Sequence, residues 1–453
     1  MSASPWSGRR IHLIGIGGAG MSGLALVARE LGAVVSGSDR AESPYMKTLR
    51  AEGIEPVIGH AAANLPAGAE VVVSTAIGDD NPELAAARAA GAQVLHRGDL
   101  LAEISRLKPC VAIAGTHGKT TTACMTAHAL LVAGRAPSYL IGGELRTTSR
   151  NADWARGEWL VIEADESDRS FLKLAPDVAV VTNVELDHHS TYRSALEIER
   201  AFEQFAGSAK STIAWHGAGL TGASTSYGID EGEVAATDVE ADARGSRFTA
   251  LGARVELRVP GRHNVLNALG ALLACRAAGL EPPEAAGALA SFPGARRRFE
   301  QRGTTSAGAI VYDDYAHHPT EVRATLEAAR TLGARRVIAC FQPHLYSRTR
   351  LLARQFGQAL ALADAACVLD VYPARELPED HPGVSGWLVA AATADASHGR
   401  PVYWTPTLDE AERLLLSLLE EGDVLLTLGA GDVDGLAARL VAKPPVAPVG
   451  SAP

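Results

Sequence analysis

Aromatic residues are scarce in this chain, with 8 Phe, 6 Trp and 9 Tyr among 453 residues, and acids outnumber bases 52 to 42. A base-stacking platform needs aromatics and a duplex-binding face needs a basic surplus, so nucleic-acid binding is not expected as the main business of the protein. The formal net charge of −10 still permits a local basic pocket for phosphate. Cysteine is sparse too: five residues, Cys110, Cys124, Cys275, Cys340 and Cys367, with no Cys-x-x-Cys pair. Such a pattern offers neither a disulfide framework nor a zinc site, and a reducing cytoplasm is the expected location. No apolar run approaches the ~20 residues that a membrane span requires. Arg9-Arg10 precede an apolar stretch as in a twin-arginine export signal, but Gly15, Gly17, Gly18 and Gly20 break it, so export is not expected.

Glycine and small apolar residues are plentiful, with 45 Gly and 47% of the chain hydrophobic. This is the composition of a packed globule, and the length predicts about three domains of ~150 residues each. The text of the chain agrees, because an alternation of apolar strand, turn and amphipathic helix starts three times. The first series runs over 1–107, with strands expected at Ile11–Ile14, Ala33–Val35 and Glu70–Thr75. The second covers 108–294, with strands at Cys110–Ala114, Trp159–Glu163 and Val178–Thr182, and a small antiparallel patch expected over Thr212–Val259. The third covers 295–442, with strands at Ala309–Tyr312, Arg336–Phe341, Ala366–Val371 and Val424–Leu428 and helices near Glu321–Leu332, Arg350–Leu362 and Leu408–Leu419. A Pro-, Ala- and Gly-rich tail, 443–453, is expected to be disordered. The fold class is therefore α/β in three domains.

Chemistry-bearing residues gather at the ends of these strands. Gly15-Ile16-Gly17-Gly18-Ala19-Gly20 is a G-x-G-x-x-G turn between a strand and a helix, with Asp39 closing the next strand. Its glycines admit a pyrophosphate against the helix N-terminus and the acid can reach a sugar hydroxyl. NAD and any other nucleoside diphosphate satisfy that geometry equally. Gly115-Thr116-His117-Gly118-Lys119-Thr120-Thr121-Thr122 has the Gly-Lys-Thr core of a phosphate-binding loop, although Ile113 stands where the standard motif has its first Gly. Its amides and Lys119 suit a triphosphate, and the Thr120 hydroxyl suits Mg²⁺. Two acidic strand ends follow, Glu163-Ala164-Asp165-Glu166-Ser167-Asp168 and Asn183-Val184-Glu185-Leu186-Asp187-His188, where carboxylates and His188 can hold divalent metal. Asn264 and Asn267 lie three apart on one helix face, which suits an adenine edge. Arg296-Arg297-Arg298, Asp313 to Glu321 and Phe341 to Arg350 complete the set.

With six such motifs in order from about Arg10 to about Leu436, the chain resembles the Mur ligases of bacterial peptidoglycan synthesis. The Gly-Gly-Ala-Gly-Met-Ser start and the Phe-Gln-Pro-His block are most similar to the alanine-adding branch, with the branch that recycles a murein tripeptide as its nearest competitor. The resemblance implies a Rossmann-like UDP-binding domain, a central P-loop ATPase-like domain and a C-terminal Rossmann-like domain for the amino acid and closure. It implies ATP, UDP-N-acetylmuramate and L-alanine as small-molecule substrates, with two Mg²⁺ ions. Gly15, Gly17, Gly18, Gly20, Met21, Ser38, Asp39 and Ser74 would then bind the UDP-sugar. Gly115, Thr116, His117, Gly118, Lys119, Thr120, Thr121, Asn264, Asn267, Arg298 and Asp314 would bind ATP. Thr120, Glu163 and His188 would hold metal, and Tyr315, His317, His318, His344 and Arg348 would surround the acyl carbon and incoming amine. Lys119, His188, Arg298 and Arg348 are the implied catalytic groups. Ser190 stands where relatives carry Asp beside the metal histidine, and Leu345 where many carry Arg. An NAD oxidoreductase and a nucleotide-sensing binding protein are the readings from other classes.

Overall fold

A computed structural model of the chain describes residues 5–242 and 245–441, so the expected tail at 443–453 lies outside the described residues. Three sheets correspond to the three series. The first contains β1 (Arg10–Ile14), β2 (Val34–Asp39), β3 (Val57–Ile58), β4 (Glu70–Val73) and β5 (Val94–His96), in the order β3-β2-β1-β4-β5 with every pairing parallel. Strand order reverses beside β1, which puts a crevice at its C-terminal end, where the glycine turn begins.

The second sheet contains β6 (Cys110–Ala114), β7 (Ser138–Leu145), β8 (Arg150–Asp153), β9 (Leu160–Glu163), β10 (Val178–Val181), β11 (Ser211–Trp215), β12 (Thr225–Ile229), β13 (Val234–Asp242), β14 (Gly245–Ala250) and β15 (Ala253–Leu257). Its order is β15-β14-β13-β12-β11-β10-β6-β9-β7-β8. Central β6 and β10 are buried at every position, as the uninterrupted apolar runs Cys-Val-Ala-Ile-Ala and Val-Ala-Val-Val require of strands covered on both faces. The small antiparallel patch expected over Thr212–Val259 is corrected for its first part only, since β14 and β15 are neighbours joined by just Leu251 and Gly252, a connection that only antiparallel strands allow. β11 pairs in parallel with β10 and β12, and β12 with β13, so the segment extends the main sheet. Short glycine-punctuated runs reveal strands but carry no signal of direction.

The third sheet contains β16 (Glu300–Thr304), β17 (Ile310–Asp314), β18 (Arg336–Phe341), β19 (Ala365–Val368), β20 (Val402–Trp404) and β21 (Asp423–Leu428), in the order β16-β17-β21-β18-β19-β20. Only β16 runs antiparallel to its neighbour, forming an edge hairpin with β17. Alternate residues of β18 feed opposite cores: Val337, Ala339 and Phe341 pack with Leu326 and Phe356, whereas Ile338 and Cys340 pack with Leu415 and Leu436.

The chain divides into two compact units, with the main break at Ala295/Arg296; Arg258–Asn264, earlier in the chain, belongs to the second. Residues 107/108 lie between the last strand of the first sheet and the first strand of the second. One apolar cluster runs from Leu13, Leu24 and Leu100 to Leu160, Phe171 and Phe205, so the first and second sheets share a core. All five cysteines are buried in these interiors as free thiols. Among the described residues no helix is long and apolar enough to cross a membrane.

Candidate functional site

The glycine turn follows β1 directly. Gly15 and Ile16 donate their N–H groups to the Ser38 carbonyl at 2.8 and 3.0 Å. Gly17 donates to Asp39 Oδ2 at 2.9 Å, and the Ser43 hydroxyl donates to the Gly17 carbonyl at 2.8 Å. The acid expected to meet a sugar therefore also braces the turn. Helix Ala19–Glu30, with Gly20 and Met21 in its first turn, has no acid there, which leaves its positive end available for an anion. Ser74 is half-buried beyond the end of β4. Ser38 is fully buried, and its hydroxyl donates to Glu83 Oε2 at 2.6 Å. Glu83 also takes hydrogen bonds from Asn64 and Ala61 and faces His12 Nε2 at 2.9 Å. Burial opposes ionisation of Glu83, yet its Ser38, His12, Asn64 and Ala61 partners hold its carboxyl below the usual range. The Ser38 side chain thus serves a network inside the sheet that no sequence spacing announced.

Behind β6, Gly115 and Gly118 take φ values of 137° and 79°, which side-chain-bearing residues rarely adopt. They curl the loop around the start of helix Lys119–Val132. Lys119 Nζ donates to the Gly115 and Thr116 carbonyls at 2.6 and 3.2 Å and sits 2.9 Å from the Glu166 carboxylate. Burial opposes its charge, but Glu166, Asp165 and Glu163 outweigh burial and raise its pKa above the ordinary lysine value. Thr120 Oγ1 donates to Glu163 Oε1 at 2.9 Å, and Glu163 Oε2 accepts from the Gly142 N–H at 2.7 Å. A hydroxyl and a carboxylate fixed side by side are the hard oxygen donors Mg²⁺ prefers. His188, at φ 51°, places Nε2 3.3 Å from Glu166 Oε1. Glu166, with no exposed surface, lies between Lys119 and His188, so it joins the P-loop lysine to the second acidic strand end. It stands inside the quoted acidic run, but spacing alone did not say which acid turns inward. Thr116 exchanges hydrogen bonds with the Glu185 backbone at 2.9 Å, and His117 meets Glu185 Oε2 at 2.9 Å. Thr121 is buried in the first turn of the helix, and Asn267 Oδ1 accepts from Thr122 Oγ1 at 3.3 Å. Asn264 Nδ2 instead donates to the Pro260 carbonyl at 2.8 Å.

In the second unit, Asp314 ends β17 with both carboxylate oxygens accepting backbone N–H groups, from Phe299 and Ala316, each at 2.8 Å. Arg298 lies with its guanidinium 5.3 Å from the Tyr315 ring centroid and 3.7 Å from Glu321. An aromatic wall follows: Tyr315 meets His317 edge-on at 5.3 Å, His317 meets His344 at 6.0 Å, and His344 stacks on Tyr372 at 5.9 Å. Buried Arg348 adjoins it, with Nη1 3.4 Å from His344 Nδ1. His318 caps helix Pro319–Arg330 through a reciprocal bond with Glu321. Tyr372 was not foreseen, because it follows β19 outside any dense polar motif and only the β18/β19 pairing brings it to His344.

Burial lifts the Asp314 carboxyl to about 6, with Arg298 only partly offsetting it. A carboxyl raised above its unfolded value of ~3.9 favours folding fully below about pH 4, and that contribution is lost as the pH rises through 6. Ionising it costs on the order of 3 kcal/mol at neutral pH. The thermal midpoint of the wild type minus that of Asp314→Asn should accordingly fall between pH 5 and pH 7; a pH-independent difference would show that Asp314 does not titrate in this range.

Three family models match in order: "Mur ligase family, catalytic domain" over residues 10–109, "Mur ligase middle domain" over 113–275 and "Mur ligase, glutamate ligase domain" over 297–431. The chain is 44% identical to the UDP-N-acetylmuramate--L-alanine ligase of Rubrobacter xylanophilus, with 96% of this chain and 100% of that relative covered. Its identity to the enzyme of the same name from Streptomyces coelicolor is 47%, covering 95% of this chain and 97% of the relative. Among solved structures, the UDP-N-acetylmuramate-alanine ligase of Thermotoga maritima superposes with a TM-score of 0.83 at 30% identity, covering 95% of this chain and 98% of the other. A murein peptide ligase from Psychrobacter arcticus gives 0.72 at 27% identity, covering 96% and 98%. Matches of this length and order, over a fold whose strand ends carry the expected motifs, leave one conclusion: the chain belongs to the Mur ligase family.

Proposed function

We propose that the chain joins L-alanine to the carboxylate of UDP-N-acetylmuramate, converting ATP to ADP and phosphate, in bacterial peptidoglycan precursor synthesis. A carboxylate is a poor acyl donor because oxide would have to leave. A carboxylate oxygen attacks the γ-phosphorus of ATP, ADP departs, and the resulting acyl phosphate is attacked by the alanine amine; the tetrahedral adduct collapses with loss of phosphate and a proton. The first step brings two anions together, so cationic and hydrogen-bonding groups must be fixed in advance. The observation that carries this reading is the P-loop cluster, where Lys119 is anchored by two loop carbonyls and Glu166 beside the paired Thr120 and Glu163 oxygens.

Thr120 and Glu163 would hold Mg²⁺, with His188 at a second ion; held there, the metal would supply charge neutralisation at the phosphates and polarisation of the P–O bonds. Residues 1–107 bind the UDP-sugar at the glycine turn, 108–294 bind ATP, and 295–442 supply Arg298, Asp314, Tyr315, His317, His344 and Arg348 for the nucleotide and the amino acid. The helix cap made by His318 gives it a supporting place in that last group. The location that fits this chemistry is the bacterial cytoplasm, where ATP and nucleotide sugars are found.

The test is phosphate release from ATP in the presence of Mg²⁺. Release should require both UDP-N-acetylmuramate and L-alanine. Release indifferent to either would overturn the ligase reading, and a preference for a murein tripeptide over L-alanine would assign the chain to recycling instead.

A further inference from the structure

Arg97 belongs to none of the motifs above, yet its guanidinium is bonded to one of them and lies beside another. It opens helix Arg97–Ser105, just after β5. One edge of the fork is fully engaged: Nε donates to Asp168 Oδ2 at 2.9 Å, and Nη2 donates to Asp165 Oδ2 and Asp168 Oδ2, both at 2.7 Å. Both acids belong to the loop after β9 that also carries Glu166. The other amino group, Nη1, makes no hydrogen bond among the described residues and is not sealed from solvent. It lies 3.2 Å from where a Cβ on Gly20 would stand, at the mouth of the glycine turn. The carboxylates therefore do more than balance charge. They lock a planar donor in one orientation, with its unused N–H groups beside the acid-free start of helix Ala19–Glu30.

We propose that Arg97 is a substrate-binding residue whose Nη1 donates to the diphosphate of the nucleotide sugar, with Asp165 and Asp168 as the residues that position it. The proposal rests on reading the glycine turn as the UDP-sugar site. It explains why an arginine stands here. A lysine could supply charge, but it could not satisfy two acids along one edge and present a second donor group along the other. It also gives Gly20 a reason beyond backbone freedom, since any side chain there would press on the guanidinium.

The test is titration calorimetry on the full chain without ATP, comparing UDP-N-acetylmuramate with uridine, which lacks the diphosphate. Arg97→Gln should weaken UDP-N-acetylmuramate by about 10- to 100-fold, the worth of one charge-assisted hydrogen bond. Uridine affinity should stay within about twofold, because no phosphate contact is lost. Should the glutamine variant fail to fold, Arg97→Lys is measured in the same way and should show a smaller loss confined to the diphosphate ligand. Equal UDP-N-acetylmuramate affinity in variant and wild type overturns the proposal. So does an equal loss for both ligands, which would make Arg97 a support for the fold alone. Failure of the wild type itself to bind UDP-N-acetylmuramate would instead overturn the reading of the glycine turn, so the two failures are distinguishable.

Discussion

Replacing Lys119 by alanine is expected to lower ATP-dependent ligation by at least ~10²- to 10³-fold, the cost of removing one preorganised charge-stabilising donor. Affinity for UDP-N-acetylmuramate should change by less than about threefold, since the glycine turn lies on a different sheet and, among the described residues, Lys119 makes no hydrogen bond to it or to Arg97. A second effect must be separated from the first. Lys119 partners the buried Glu166 carboxylate, and stripping a buried ion pair of one member costs ~3–5 kcal/mol of stability. The double variant Lys119→Ala/Glu166→Gln removes that stranded charge, so its melting temperature should recover towards the wild type while turnover stays low. Recovery of turnover along with stability would mean that Lys119 acts through the fold and not on ATP. A loss of UDP-sugar affinity that the double variant reverses would come through the loop of Asp165, Glu166 and Asp168, which holds both Lys119 and Arg97; a loss that persists in the double variant would contradict the assignment of the two ligands to separate sheets.

Gly118→Ala should be nearly as damaging, for a steric reason. Gly118 has φ 79°, and a Cβ there would lie 2.3 Å from Asn267 Oδ1. The left-handed backbone costs an alanine ~1–3 kcal/mol, and the overlap adds a comparable penalty unless Asn267 moves. Either response distorts the turn from which Lys119 and Thr120 start, so we expect ATP turnover to fall by about 100-fold or more, since small displacements of positioning groups have effects of that size. Adding Asn267→Ala should relieve the clash but not the backbone strain, restoring part of the stability measured by thermal melting. If the double variant is no more stable than Gly118→Ala alone, the contact with Asn267 is not the source of the penalty.

The reach of sequence reasoning differed from one kind of feature to the next. Arg336–Phe341 has the bounds that its apolar run suggested, because five successive buried residues, Val337 to Phe341, leave a signal independent of context. β2 was expected over Ala33–Val35 and instead runs over Val34–Asp39, since Ser36, Gly37 and Ser38 have weak strand preference and are held extended by β1. Helix Tyr346–Leu360 starts four residues before the expected Arg350, within a polar and aromatic block that reads locally as a loop. β16 escaped notice because an edge strand with one exposed face lacks a continuous apolar run.

The sequence by itself determined the α/β class, the three serial sheets, and the phosphate-binding turns, because each depends on short-range pattern: glycines at fixed offsets after apolar strands. It also carried the family, through the order of six motifs. Tertiary structure decided which acid in a run meets the lysine, that Arg97 is bonded to Asp165 and Asp168 beside the glycine turn, and that Tyr372 completes the wall with His344. It also turned the Ser38 hydroxyl inward to Glu83 and merged the first two sheets around one core. These are contacts between residues distant along the chain, formed only when parallel strands bring their ends together. No local spacing encodes them, because the crossover helices fix which strand ends become neighbours and the packing of those helices is settled by the whole core.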